Sequence, residues 1–237
     1  MTVVIFDVDD TLYQQIEPFR LAIEDVFLTE YKQMNVEISE LYLSFRQFSD
    51  EVFMKTVNGQ MTLADMRVYR IKETFFKHGR KVTDLACQLF QERYYHYQGC
   101  IELSSSMREV LDYLRKKDIP IGILTNGPTT HQKRKLEQLG LHQWVVSTKM
   151  LISESIGVSK PEVTAFRKVQ EQFDGENNFI YVGDSYHHDV LGALSAGWQV
   201  IWLNKYNRVL LNEESKPDVE LHEDTQVLKI IKKLIEK

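Results

Sequence analysis

Five residues near the start, Thr2–Phe6, form a β-branched and aromatic run that stops at acids: Thr-Val-Val-Ile-Phe is followed by Asp7, Asp9 and Asp10. A run this short and apolar reads as a buried strand, and its acidic end turns the strand's carboxyl terminus toward something polar. The same pattern returns in the second half of the chain. Apolar runs at 119–124, 144–147, 179–182 and Gln199–Leu203 alternate with helical patterns at 106–117, 130–138, 161–173 and 189–196, with Gly140 and Gly197 as stop signals. Strand and helix in alternation predict an α/β fold, a parallel sheet covered on both faces.

Residues 16–97 interrupt that pattern with long helical periodicities, broken near Asn58-Gly59 and Gly79, and with no strand signal. The chain is therefore expected to divide into a core of residues 1–15 and 98–237 and a helical insertion of residues 16–97. Thr62 with Asp65, and Ser106 with Glu109, have the spacing of helix-capping boxes. Phe53, Phe75, Phe76 and Tyr94, at helical spacing, read as the interior of a helix bundle. The lysine-rich stretch 229–237 reads as a closing amphipathic helix with a solvated face.

Composition removes several classes of function. With 237 residues, 43% hydrophobic and 27% charged, the chain has ordinary globular proportions and enough length for a sizeable core. The net charge is −5 and the basic residues are scattered, so phosphate neutralisation along a nucleic acid is not expected. No apolar run reaches the ~18 residues that span a bilayer. Cys87 and Cys100 have no metal or redox spacing; free thiols and a cytoplasmic location are expected.

Four short signals fall where an open α/β sheet places its ligand, beyond the carboxyl ends of the strands. Asp7-Val8-Asp9-Asp10-Thr11 follows the first strand, and Asp7 and Asp9 can both reach one crevice; taken alone, such a segment also serves as a solvated turn. Thr125-Asn126-Gly127 supplies a hydroxyl, an amide and glycine-freed backbone N–H groups, equipment for phosphate oxygens or for a plain β-turn. In Lys160-Pro161, proline suits the first turn of a helix and sets the lysine beside a positive helix terminus, a place for an anion. Gly183-Asp184-Ser185, with Asp189 beyond it, adds carboxylates that near Asp7 invite a hard cation. All-oxygen donors suit Mg²⁺ rather than zinc. His187 and His188 read as polar loop residues.

In this order the signals resemble the four motifs of the haloacid dehalogenase-like hydrolase superfamily, and the resemblance spans nearly the whole chain. It implies a Rossmann-like parallel sheet of strand order 3-2-1-4-5, with the helical insertion as an α-helical cap. It also implies roles: Asp7 as nucleophile, Asp9 as general acid and base and, through its backbone carbonyl, a metal donor. Asp7, Asp9 and Asp184 then hold Mg²⁺, Thr125, Asn126 and Lys160 hold phosphate, and Ser185 and Asp189 support them. Asp10 shapes the loop. Dehalogenases of this family lack an acid at the Asp9 position, which favours phosphate-ester chemistry. Cap length, Gly59-Gln60-Met61-Thr62 and Leu124-Thr125-Asn126-Gly127 resemble the branch of pyrimidine 5′-nucleotidases and N-acylneuraminate-9-phosphatases.

The expected function is Mg²⁺-dependent hydrolysis of a small-molecule phosphomonoester, a nucleoside monophosphate or sugar phosphate, through an aspartyl-phosphate. The alternatives are a phosphomutase or phosphotransferase, or a non-catalytic regulator that binds a phosphorylated ligand. No nucleic-acid or membrane partner is expected, and the protein is expected to be a monomer or weak homodimer. Tyr13, Gln14, Phe19, Arg67, Tyr69 and Arg70 are candidates for reading the substrate.

Overall fold

The computed structural model describes residues 2–209 and 215–236, which fall into two compact units, 1–14 with 101–237 and 15–100. In chain order, β1 (Thr2–Phe6) opens the first unit, and α1 (Ile16–Met34), α2 (Ile38–Val57), α3 (Leu63–Lys77) and α4 (Asp84–Tyr97) form the second. The chain returns through α5 (Ser105–Lys116), β2 (Ile121–Thr125), α6 (Thr129–Gln138), β3 (Met150–Ile152) and the single turn α7 (Ser153–Ile156). It ends with α8 (Val163–Gln170), β4 (Asn178–Gly183), α9 (Leu191–Ser195), β5 (Gln199–Leu203), β6 (Val219–Leu221) and α10 (Val227–Ile235).

The strands lie in the order β3-β2-β1-β4-β5-β6, with every neighbouring pair parallel. β1 is apolar from Val3 to Phe6 because it serves both faces. Val4 and Phe6 pack with Ile123, Val182 and Leu111 on one side, while Val3 and Ile5 pack with Phe166, Tyr181 and Trp198 on the other. Each such burial stabilises the fold by roughly 1.5–3 kcal/mol. Register then positions the chemistry: Phe6 pairs with Ile123 and with Val182, so Asp7, Thr125 and Asp184 emerge along one carboxyl edge.

Several sequence expectations are corrected. The third strand is Met150–Ile152 rather than 144–147, where Val145 N and Lys149 N bond locally to Leu141 O and Val146 O instead of joining a ladder. Val146 is 61% exposed, whereas Leu151 and Ile152 of the strand that does form are buried. β6 extends the expected order at one edge; three residues carry too little periodicity to announce a strand. α5 is capped by Ser104, whose hydroxyl accepts from Met107 N, rather than by Ser106. α8 starts at Val163 because Glu162 is still extended, leaving Pro161 outside the helix. The stretch expected at 189–196 begins earlier, with a π-helical turn over Tyr186–Val190 that leads into α9.

The helical unit is built around aromatic rings. Phe19 lies 4.9 Å from Phe45 between ring centroids, Phe27 lies 4.5 Å from Phe75, and Phe90 stacks on Tyr94. Thr62 and Thr83 cap α3 and α4 by accepting from Asp65 N and Ala86 N. Phe75 and Tyr94 are interior as expected, whereas Phe76, one position round the same helix, is 60% exposed and Phe53 is half-buried. Cys87 and Cys100 are free thiols. Among the described residues no helix is long and apolar enough to cross a membrane.

Candidate active site

Asp7 continues the line of β1, its N–H donating to Val182 O at 2.9 Å, and its side chain is buried. The chain then turns tightly: Leu12 N donates to Val8 O, and Asp10 takes a left-handed conformation at φ 58. Asparagine and aspartate tolerate that region better than most residues. Asp10 thus shapes the turn and is itself fully buried.

The centre of the site is Lys160. Its Nζ donates to Asp7 Oδ1 at 2.6 Å, to Asp189 Oδ1 at 2.6 Å and to the Tyr181 hydroxyl at 2.9 Å. The lysine owes this placement to Asn126 rather than to a helix terminus. Asn126 Nδ2 donates to Lys160 O and Asn126 Oδ1 accepts from Lys160 N, both at 2.9 Å, a two-point clamp on the backbone. His188 Nδ1, 3.2 Å from the same carbonyl, adds a third support. Asn126's side chain is therefore engaged in bracing Lys160, which leaves the backbone of Asn126 as the part of this residue expected beside phosphate. Thr125, at the end of β2, is buried beside it in sequence.

Asp189 sits on the π-helical turn, with Oδ2 accepting from Ser185 N at 2.9 Å. It approaches β4 so closely that a Cβ at Gly183 would fall 2.4 Å from Asp189 Oδ2, so only glycine fits there. Ser185's hydroxyl caps this turn by accepting from His188 N. Asp184 is buried, its carbonyl accepting from Trp202 Nε1 and its Oδ2 lying 3.4 Å from Arg208 Nη2. One carboxylate oxygen from each of Asp7, Asp184 and Asp189 lies within 4.8 Å of the others.

This crowding has electrostatic consequences. Burial, reinforced by Asp189, Asp184 and Asp9, pushes the Asp7 carboxyl up to about 8 against the opposing pull of Lys160. Burial alone acts to lower the Lys160 ammonium, but Asp189 and Asp7 outweigh it and hold it above its ordinary range. Burial, then Asp189, drives the Tyr181 phenol well above its usual value, so it stays protonated. The donor set is all oxygen, anionic and short of positive charge, which fits a hard divalent cation.

Asp9 faces a different set of groups. Its oxygens lie 2.7 and 2.8 Å from Lys135 Nζ, Oδ2 also accepts from Gln132 Nε2 at 3.2 Å, and the Tyr13 hydroxyl donates to Oδ1. Tyr13, expected to read substrate, is 98% covered and bonded to Asp9. Phe19 belongs to the aromatic interior of the helical unit, Gln14 is exposed, and Arg67, Tyr69 and Arg70 are partly buried within α3. Sequence reasoning missed Tyr181, Lys135 and Gln132. Tyr181 reads as one more apolar strand residue; Gln132 and Lys135 are hidden in a helix whose sequence is polar at nine of ten positions.

A parallel sheet with buried aspartates and a lysine gathered beyond its carboxyl edge defines an α/β enzyme with an aspartate-centred site. The haloacid dehalogenase-like hydrolase family matches residues 1–197, and the chain belongs to that family. It is 27% identical to the pyrimidine 5′-nucleotidase PynA of Streptococcus pneumoniae over 98% of this chain and 95% of that protein. It is 37% identical to the pyrimidine 5′-nucleotidase YjjG of Escherichia coli over 90 residues, spanning 37% of this chain and 39% of that relative. The magnesium-bound crystal structure of the putative hydrolase YfnB of Bacillus subtilis shares the fold, with a TM-score of 0.71 and 21% identity over 97% of this chain and 98% of that one.

Proposed function

We propose that the protein is a Mg²⁺-dependent phosphomonoesterase acting on a small phosphorylated metabolite, a nucleoside monophosphate or sugar phosphate. The observation that carries this reading is Asp7, held at the carboxyl edge by a lysine that Asp189, Tyr181 and Asn126 all fix in place. Full-length similarity to a pyrimidine 5′-nucleotidase supports it, and leans the substrate toward nucleotides.

In this mechanism an Asp7 oxygen attacks phosphorus, the P–O bond to the alcohol breaks, and an aspartyl-phosphate forms on Asp7. Lys160 balances the charge that develops on the phosphoryl oxygens, with Thr125 beside them. Asp9 donates a proton to the leaving alkoxide and later takes one from the water that hydrolyses the aspartyl-phosphate, a role worth about 10²–10⁴-fold. Its presence favours ester hydrolysis over halide displacement, where the leaving group needs no proton. Asp7, Asp184 and the Asp9 carbonyl are the groups that would hold Mg²⁺, which when bound shields an anionic nucleophile from an anionic substrate. Asp189 accepts from Lys160 Nζ and from Ser185 N, so its part in this reading is to hold Lys160 in place. Residues 15–100 are the substrate-selecting module in this reading.

The test is phosphate release from nucleoside monophosphates, sugar phosphates and an aryl phosphate, with Mg²⁺ or chelator, beside Asp7→Asn. Release that chelator abolishes, and that Asp7→Asn lowers by on the order of 10⁴-fold or more, is the expected result. Undiminished turnover in Asp7→Asn refutes the nucleophile assignment.

A further inference from the structure

We infer that Lys135 and Gln132 are positioning residues for the Asp9 carboxylate, fixing the plane from which it exchanges protons with the leaving group. The inference rests on the acid–base role of Asp9 proposed above. Lys135 lies on α6, and its ammonium touches both Asp9 oxygens, at 2.7 and 2.8 Å. Only 3% of its side chain is exposed, against 15% for Asp9, so the contact is sheltered rather than a loose surface pair. A lysine at such a depth is costly unless a carboxylate meets it.

Gln132 stands three residues earlier on the same helical face. Its Nε2 donates to Asp9 Oδ2 at 3.2 Å and to Asn126 O at 3.0 Å. Its Oε1 is buried and has no hydrogen-bond partner, a cost that a reversed amide would not relieve, because the oxygen would then face the Asp9 carboxylate and the Asn126 carbonyl. Gln132 thus acts here through its donor end. Asn126 in turn clamps Lys160, so one helix ties the proposed acid to the lysine beside Asp7. A general acid must lie about 2.6–3.2 Å from the oxygen it serves, and a misplacement of ~1 Å costs on the order of 10²-fold.

The experiment compares kcat/KM, which reports the steps through formation of the aspartyl-phosphate, for an alkyl phosphate and for p-nitrophenyl phosphate, whose leaving group needs little protonation. Lys135→Met should lower kcat/KM about 10–100-fold on the alkyl ester and less than about 3-fold on the aryl ester, with Lys135→Arg recovering part of the loss. Gln132→Leu should show the same asymmetry at smaller size, and it carries the test if Lys135→Met does not fold. In the Asp9→Ala background either substitution should cost nothing further, because the group it positions is gone. Equal losses on both esters, no loss on either, or losses that multiply with Asp9→Ala overturn the inference. If Asp9→Ala itself fails to discriminate between the esters, the acid–base reading of Asp9 fails instead.

Discussion

Two cations, one in each unit, are accommodated in opposite ways. Lys160 sits among carboxylates, with Asp7 and Asp189 both 2.6 Å away. Arg70 of the helical unit is held by neutral groups, with other cations nearby: its guanidinium lies 4.3 Å over the Phe45 ring, donates to Gln91 at 2.6 Å, and keeps a buried Nε without a hydrogen-bond partner. Their acidities diverge accordingly. Carboxylates hold Lys160 above its ordinary range, whereas burial, with repulsion from Arg67 and Arg46, brings Arg70 down to about 10 despite the pull of Tyr94. The sheet edge concentrates charge in tightly paired groups, the arrangement that preorganised chemistry requires. The helical unit holds its arginine by a ring contact and a hydrogen bond to a neutral amide.

The contrast can be broken most directly at Lys160. Lys160→Met leaves Asp7 and Asp189 buried without their cation, so chemical denaturation should show a loss of about 3–5 kcal/mol. Phosphate release should fall on the order of 10²–10³-fold in the same variant. A variant as stable as the parent would mean that the carboxylates do not depend on this lysine.

Adding Mg²⁺ sharpens the comparison, because the acids of the core site outnumber Lys160. At a hundredfold excess over Kd the ion should add about 2.7 kcal/mol, roughly 5–10 °C in Tm for a chain of this size. Asp7 titrates higher in the folded protein than in the unfolded chain, so between about pH 4 and 8 the native state holds the extra proton. Metal-free stability through this group therefore falls as pH rises across that window, and the Tm gain from Mg²⁺ should grow from pH 5 to pH 8. A gain that shrinks with pH, or that survives Asp184→Asn, would count against the aspartate site. The smallest effect is expected in the helical unit. Arg70→Met gives up a cation–π contact but also removes a desolvated charge, and its stability should stay within about 1 kcal/mol of the parent in urea denaturation.

Much of the core architecture was legible because strand ends and acids coincide: Asp7 and Asp184 follow apolar runs, while Lys160 is marked only by the proline after it. The details that escaped are those where local sequence offers equivalent choices. Three consecutive serines, 104–106, each suit a helix cap, and the structure uses Ser104, whose hydroxyl accepts from the N–H of the buried Met107. Trp144 and Val145 look like a strand, but Trp144 Nε1 donates to Asp112 and the backbone stays in local turns. Lys135 and Gln132 resemble solvated residues until the fold brings Asp9, more than 120 positions earlier, against them. No local periodicity encodes such a partner.

The sheet's two outer strands among the described residues, β3 and β6, are each three residues long. An edge this short offers a neighbouring molecule few unpaired backbone groups on which to extend the ladder, so edge-to-edge stacking gains little. The five-residue strand that precedes Asp7, apolar from Val3 to Phe6, is kept in the interior of the sheet, flanked on both sides. An apolar, β-branched segment of the kind that can seed fibrils is therefore exposed only if the whole unit opens.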